Sequence, residues 1–335
     1  PPVAWRPDAG SGSQDQPAAR MSVDPQIATI LTTLDSGFPP VHTMTGDEAR
    51  AAIRSRFVPP AEPEPVAAVE ERTVAGPDGS VTVRIYRPAA AAEKGCPTLV
   101  YAHGGGWVFC DLDSHDGLCR AFANGMSAVV VSVHYRRASE EGQWPAAAED
   151  VYAVTAWAAE NIGELGGDSS NLLVGGDSAG GNLAAVTALM ARDRRGPALA
   201  GQVLLYPVIA ADFDTESYRL FGTGYYNPVT ALRWYWDQYV PVIADRTHPY
   251  ASPLAAPDLS GLPPAITVVA GHDPLRDEGL AYVEALEAAG VPSVCRYFEG
   301  GVHGFMTMPN FDICRQARER VCTDVTELVG SPVTN

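Results

Sequence analysis

Residues 175–182 read GGDSAGGN, between the apolar run NLLV at 171–174 and the helix-forming run LAAVTALMA at 183–191. Four glycines crowd a single serine, Ser178. Glycine is conformationally expensive inside regular elements. Such a stretch is therefore either a loose loop or a turn so tight that side chains are excluded around the hydroxyl. Gly176-Asp177-Ser178-Ala179-Gly180 fits the pattern G-x-S-x-G, which is weak alone but specific between a strand and a helix. There it forms a strained turn that lifts the serine clear of a sheet, with a helix N-terminus behind it.

The surrounding texture supports the second reading. TLVYAH (98–103), AVVVSVHY (128–135), NLLVGG (171–176), QVLLYPV (202–208), ITVVAG (266–271) and SVCRYFEG (293–300) are short runs, most of them apolar throughout. Continuous apolar runs suit strands buried on both faces of a parallel sheet. Helical stretches such as PAAAEDVYAVTAWAAENI (145–162) and GLAYVEALEAAG (279–290) lie between most of them. VEERTVAG and VTVRIYRP flank the turn GPDGS at 76–80 and predict a hairpin ahead of the series. The sum is an α/β fold with about eight strands, mostly parallel, flanked by helices.

The chain divides accordingly. Residues 1–20 read as a disordered tail with no secretory signal, with Met21 a candidate start. Residues 21–65 hold amphipathic helical segments and a proline-rich joint, VPPAEPEP. A first part of the α/β domain spans 66–210 and a second part 251–335. Between them, 211–250 is rich in aromatics and reads as an insertion over the sheet's C-terminal edge.

Composition excludes several partners. A net charge of −17, with Lys94 the single lysine, repels nucleic acid and anionic membrane surfaces. No apolar run approaches the roughly 18–20 residues needed to span a bilayer. The six cysteines have no metal-ligand spacing and read as free buried thiols of a cytoplasmic protein.

Ligands of open α/β sheets bind beyond the carboxyl ends of the strands, and four such ends carry unusual segments: HGGGW (103–107), the serine turn, HDPLRDEG (272–279) and GVHGF (301–305). A serine nucleophile needs a base, and the base needs an orienting acid, in the chain order Ser, acid, His. His303 is the base candidate, since it follows the last strand-end carboxylate. Asp273, directly after ITVVAG, is the favoured acid and Asp277 the reserve. The glycines of HGGG permit close approach of backbone N–H groups to an oxyanion, which assigns Gly105, Gly106 and Ala179 as donors. Asp177 is expected to support the turn and His103 to pin its loop. His272 reads as a loop residue, and a packing or surface role is expected of His115. DLDSHDG (111–117) superficially suggests a metal loop but lacks calcium-loop spacing, so a capping role is expected. No metal and no cofactor are expected.

HGGGW, YR at 135–136, GDSAGGNLA, DPLRDEG and HGF, in this order, resemble the hormone-sensitive-lipase-like esterases, the bacterial family IV α/β-hydrolases, over about residues 65–330. The resemblance implies nucleophile Ser178, acid Asp273, base His303 and the oxyanion donors Gly105, Gly106 and Ala179. It also implies a helical cap built from 22–57 and 211–250, and pairing into a homodimer through the last strand and helix. Trp107, Phe213 and Tyr225 are expected to line the substrate pocket. Two departures, Arg137–Gly142 in place of the usual LAPE and Cys110 in place of a glycine, bear on substrate range. The expected activity is hydrolysis of small-molecule carboxylic esters, with acyl chains of roughly two to eight carbons. Acyl transfer, amide hydrolysis or a non-catalytic receptor role are the alternatives.

Overall fold

The turn at Gly76–Gly79 joins β1 (Ala68–Gly76) to β2 (Gly79–Arg87) as an antiparallel hairpin, with Gly76 paired to Gly79. This is the pairing that the GPDGS turn predicts. The computed structural model describes residues 22–90, 95–138, 142–308 and 311–330. The tail expected at 1–20, and Ser139–Glu141 of the LAPE departure, lie outside the described residues.

Six further strands extend the hairpin: β3 (Cys96–Ala102), β4 (Val129–His134), β5 (Gly167–Asp177), β6 (Gly201–Leu205), β7 (Ala265–His272) and β8 (Ser293–Val302). The eight strands lie in the order β1-β2-β4-β3-β5-β6-β7-β8, and β2 runs antiparallel to β4 while the later pairs are parallel. The apolar runs are buried on both faces, as their continuity predicts. Val100, Val131 and Val133 face α4 (Ala146–Glu160) and α5 (Ala179–Asp193). Leu99, Tyr101 and Val130 face α3 (Asp116–Gly125) and α9 (Asp312–Gly330). Fully burying one such aliphatic side chain contributes roughly 1.5–3 kcal/mol. Helix α8 (Arg276–Ala288) packs on β7 and β8.

Topology places the site. From β3 the chain steps outward to β4, then returns across β3 to β5. The segments leaving β3 and β5 therefore diverge, and the crevice between them is the switch point where open α/β sheets bind ligands.

Two helical regions pack against the loop that follows β3 or against one another. Helix α1 (Pro25–Gly37) is capped by Asp24, whose carboxylate accepts from Gln26 N–H and Ile27 N–H. Helix α2 (Gly46–Arg54) has a capping box between Thr45 and Glu48. Arg50 of α2 donates to the carbonyls of Val108 and Ala138, at 3.1 and 3.2 Å. Between β6 and β7 stand α6 (Glu216–Phe221) and α7 (Val229–Tyr239). Trp236 and Tyr239 of α7 pack on Trp107, with ring centroids 5.1 and 4.4 Å away, and Tyr226 N–H reaches back to Asp35 at 3.0 Å.

Two expectations need correcting. His272 is no loop residue: it ends β7, buried, with Nδ1 2.8 Å from the Glu299 carbonyl. The six cysteines are free, but Cys110 and Cys295 are only partly buried. Among the described residues no helix is long and apolar enough to cross a membrane.

Candidate active site

Ser178 stands between the end of β5 and the start of α5 with φ 55° and ψ −117°, a conformation that is costly for a residue with a side chain. The turn explains the glycines around it. A Cβ on Gly176 would collide with the Gly180 carbonyl, and one on Gly180 with the Ala102 carbonyl of β3. The strain is held by hydrogen bonds from Ser178 N–H to the Leu205 carbonyl at 2.9 Å and from Val208 N–H to the Ser178 carbonyl at 3.1 Å. Asn182, one turn into α5, ties the Val208 and Ala251 carbonyls at 3.0 and 2.9 Å.

His303 follows β8 directly, and its Nε2 lies 2.9 Å from Ser178 Oγ. Its Nδ1 lies 2.7 Å from Asp273 Oδ2. Asp273 is 1% exposed, and its other oxygen accepts Leu275 N–H at 2.9 Å, which fixes the carboxylate plane. Helix α9 anchors the loop beyond His303, through Cys314 Sγ to the Phe305 carbonyl at 2.7 Å and Arg318 to the Met306 carbonyl at 2.9 and 2.6 Å. Asp277 is committed elsewhere: its carboxylate accepts Ser217 N–H of α6 and Arg276 Nε, each at 2.8 Å. Ser178, Asp273 and His303 are thus brought together, and Asp277 is not.

The HGGGW loop runs over the serine turn. The N–H groups of Gly105, Gly106 and Ala179 enter no hydrogen bond among the described residues. His103 pins its loop, with Nδ1 2.7 Å from the Gly104 carbonyl and its ring stacked on Tyr135 at 4.4 Å. Burial, with His115 nearby, pushes the His103 imidazole down to about 3. His103 is therefore neutral near pH 7.

The three expected pocket residues separate. Trp107 is 1% exposed, and its ring packs against Trp236 and Tyr239 of α7. Phe213 stays partly open, edge-on to Tyr218 at 5.5 Å with the Arg233 guanidinium 4.5 Å above its ring. Tyr225 is also partly open and stacks on His272 at 5.7 Å. Ser178 and His303 are each 9% exposed. Of the departures, Cys110 abuts the HGGGW loop at Gly105 with φ 65°, and its carbonyl accepts Arg137 Nη1 at 2.9 Å.

Three residues near the site carry no signal in the linear pattern. Tyr206 sets its ring edge against His303, with centroids 5.2 Å apart. Glu278, which reads as an ordinary first-turn carboxylate, is buried and accepts Ile209 N–H at 2.7 Å; burial pushes its carboxyl well up. His115 reaches Asp177 at 3.1 Å. The DLDSHDG carboxylates are taken by arginines, Asp111 by Arg54 and Asp113 by Arg54 and Arg84. Among the described residues no group of three or more His, Cys, Asp and Glu is placed to hold a metal ion.

Known proteins share this arrangement of sequence and fold. A family model described as the alpha/beta hydrolase fold matches residues 99–307. Carboxylesterase NlhH of Mycobacterium tuberculosis is 42% identical over 295 residues, covering 86% of this chain and 90% of that protein. An ethyl acetate hydrolase of Pseudomonas putida is 36% identical over 299 residues, with 86% and 93% covered. The crystal structure of a thermostable esterase from Pseudomonas putida superposes with a TM-score of 0.85 at 34% identity, covering 95% of this chain and all of the other. The chain belongs to the hormone-sensitive-lipase-like esterases of the α/β-hydrolase fold.

Proposed function

We propose that this esterase hydrolyses short- to medium-chain carboxylic esters through an acyl-enzyme on Ser178. The observation that carries this reading is the continuous line Asp273–His303–Ser178, with contacts of 2.7 and 2.9 Å. As Oγ attacks the ester carbonyl, His303 Nε2 takes its proton, and Asp273 holds Nδ1–H and so stabilises the imidazolium. The carbonyl oxygen becomes an oxyanion that accepts from Gly105, Gly106 and Ala179 N–H. The bond to the alcohol oxygen then breaks, His303 returns its proton to that oxygen, and the acyl group stays on Ser178. Water gives a proton to the same imidazole, attacks the acyl carbonyl, and the acid departs as Ser178 Oγ is reprotonated.

Helices α1 and α2, with the region of α6 and α7, act as the cap in this reading, and Phe213 and Tyr225 are the proposed pocket walls. The 9% exposure of Ser178 and His303 supports a site that excludes water and admits small acyl groups. A relative named for ethyl acetate supports the same size class. The test is pre-steady-state release of p-nitrophenol from p-nitrophenyl acetate. A burst equal to the enzyme concentration, followed by turnover, and kcat/KM higher for butyrate than palmitate esters are expected. Turnover that persists in folded Ser178→Ala would overturn the proposal.

A further inference from the structure

A second Asp–His pair lies beneath the HGGGW loop, and the chemistry proposed above makes no use of it. Asp177 directly precedes Ser178 and is 4% exposed; His115, at the head of α3, is 5% exposed. The Asp177 carboxylate accepts Tyr101 O–H at 2.7 Å, Gly104 N–H at 3.0 Å and His115 Nε2 at 3.1 Å. These donors come from β3, from the loop that follows it, and from the far end of that loop. Burial alone would push the Asp177 carboxyl up, but the His115 imidazole and the Tyr101 hydroxyl outweigh it and hold the carboxyl below the usual carboxylate range. A buried carboxylate with fewer donors would be costly, so the three contacts are mutually dependent.

The bond to Gly104 decides where the next residues lie. The Gly104 carbonyl accepts His103 Nδ1 at 2.7 Å, the Gly105 carbonyl accepts Val108 and Phe109 N–H at 3.0 Å, and the Trp107 carbonyl accepts Ala138 N–H at 2.6 Å. Those pins hold the loop to itself and to its neighbour, whereas Asp177 ties it to the serine turn. A Cβ on Gly104 would collide with the Asp177 carboxylate, so the two segments touch directly. His115 is strapped in turn. Ser114 Oγ accepts Asp111 N–H at 3.0 Å and donates to the Asp111 carbonyl at 2.9 Å, leaving a lone pair toward His115 Nδ1 at 2.9 Å. Both ring nitrogens of His115 face oxygen acceptors.

We propose that His115 and Asp177 are positioning residues for the oxyanion loop: Asp177 draws Gly104 onto the serine turn, so that Gly105 and Gly106 N–H point at the reacting carbonyl, and His115 holds the Asp177 carboxylate in that orientation. Neither residue touches substrate, so their effect falls on transition-state stabilisation and leaves ground-state binding nearly unchanged.

The inference rests on the esterase reading, and its test separates the two. The unsubstituted protein, His115→Leu, His115→Gln and Tyr101→Phe are compared for kcat, KM, affinity for an aryl trifluoromethyl ketone that forms a tetrahedral adduct with serine, and thermal unfolding. In His115→Leu, kcat is expected to fall about 10- to 100-fold, a fraction of what loss of an oxyanion donor costs, with KM within about threefold and a parallel loss of ketone affinity. In His115→Gln, whose amide still donates to Asp177, most of kcat should return. Tyr101→Phe, which removes a different donor to the same carboxylate, should lower kcat in the same direction and keeps the test decisive if His115→Leu does not fold. Unchanged kcat in folded His115→Leu or Tyr101→Phe, or equal loss in the Gln and Leu variants, overturns the positioning role. Absence of turnover in the unsubstituted protein overturns the esterase reading instead.

Discussion

Two Ser–His–Asp lines cross the centre of this molecule, and they differ in what the serine is free to do. Ser178–His303–Asp273 has contacts of 2.9 and 2.7 Å; Ser114–His115–Asp177 has contacts of 2.9 and 3.1 Å. In the first, the His303 ring presents Nε2 to a hydroxyl whose only described partner is that nitrogen, on a strained turn beneath uncommitted N–H groups. In the second, the ring is reversed: Nδ1 faces the serine and Nε2 the aspartate. Ser114 Oγ is spent on the backbone of Asp111, and Asp177 on Tyr101 and Gly104. Proximity of the three residue types therefore does not make a nucleophile. Backbone strain, a free hydroxyl and adjacent oxyanion donors do.

The contrast can be broken by substitution, beginning with the largest effect. His303→Ala should lower kcat by about 10⁴-fold or more, because triad members act as a unit. Steady-state assays against His115→Ala, expected to lose about 10- to 100-fold, compare the two imidazoles directly; equal losses would erase the distinction. Asp273→Asn should cost on the order of 10³- to 10⁴-fold through the wrong imidazole tautomer. Asp277→Asn, which loosens α6 through Ser217, should cost less than about tenfold. If kcat fell in the reverse order, Asp277 would hold the acid's role.

Stability sharpens the comparison through two buried carboxylates shifted in opposite directions. The Asp177 carboxyl is lowered, so its contribution is present above its ordinary value and is lost as pH falls through the folded one. The Glu278 carboxyl is raised by burial, so its contribution is present below its ordinary value of 4.5 and is lost as pH rises toward the folded one. Glu278→Gln keeps an oxygen for Ile209 N–H and removes that titration. Urea midpoints should therefore favour this variant over the unsubstituted protein more at pH 8 than at pH 5; the opposite trend would mean that Glu278 is charged. The effect on kcat should be the smallest of the set, since the described partners of the Glu278 carboxyl are the backbone N–H groups of Ile209 and Ala210.

The legible parts of the sequence were those where local spacing and the fold constrain the same residue. Unbroken apolar runs marked buried parallel strands, and GPDGS marked the hairpin. Gly176 and Gly180 were legible because a turn this tight admits no Cβ, and chain order alone separated His303 from the other histidines. His115 was not legible. Its partner lies 62 positions away, and nothing between the two shows that α3 returns beneath the serine turn. Glu278 looked like a first-turn helix charge, because only the fold of the segment after β6 buries it. The partners of Trp107 were not legible either: an aromatic after HGGG gives no sign that Trp236 and Tyr239, in a segment more than a hundred residues on, pack against its ring.

The central claim is that Ser178, rather than any other hydroxyl, carries the acyl group. Acid-quenching the protein during turnover of p-nitrophenyl butyrate, followed by peptide mass mapping, tests it most directly. A butyryl increment confined to the peptide bearing Ser178, and lost in Ser178→Ala, is the expected result. An increment on the peptide bearing Ser114, or full turnover with no covalent adduct at any point in the burst, would contradict the account.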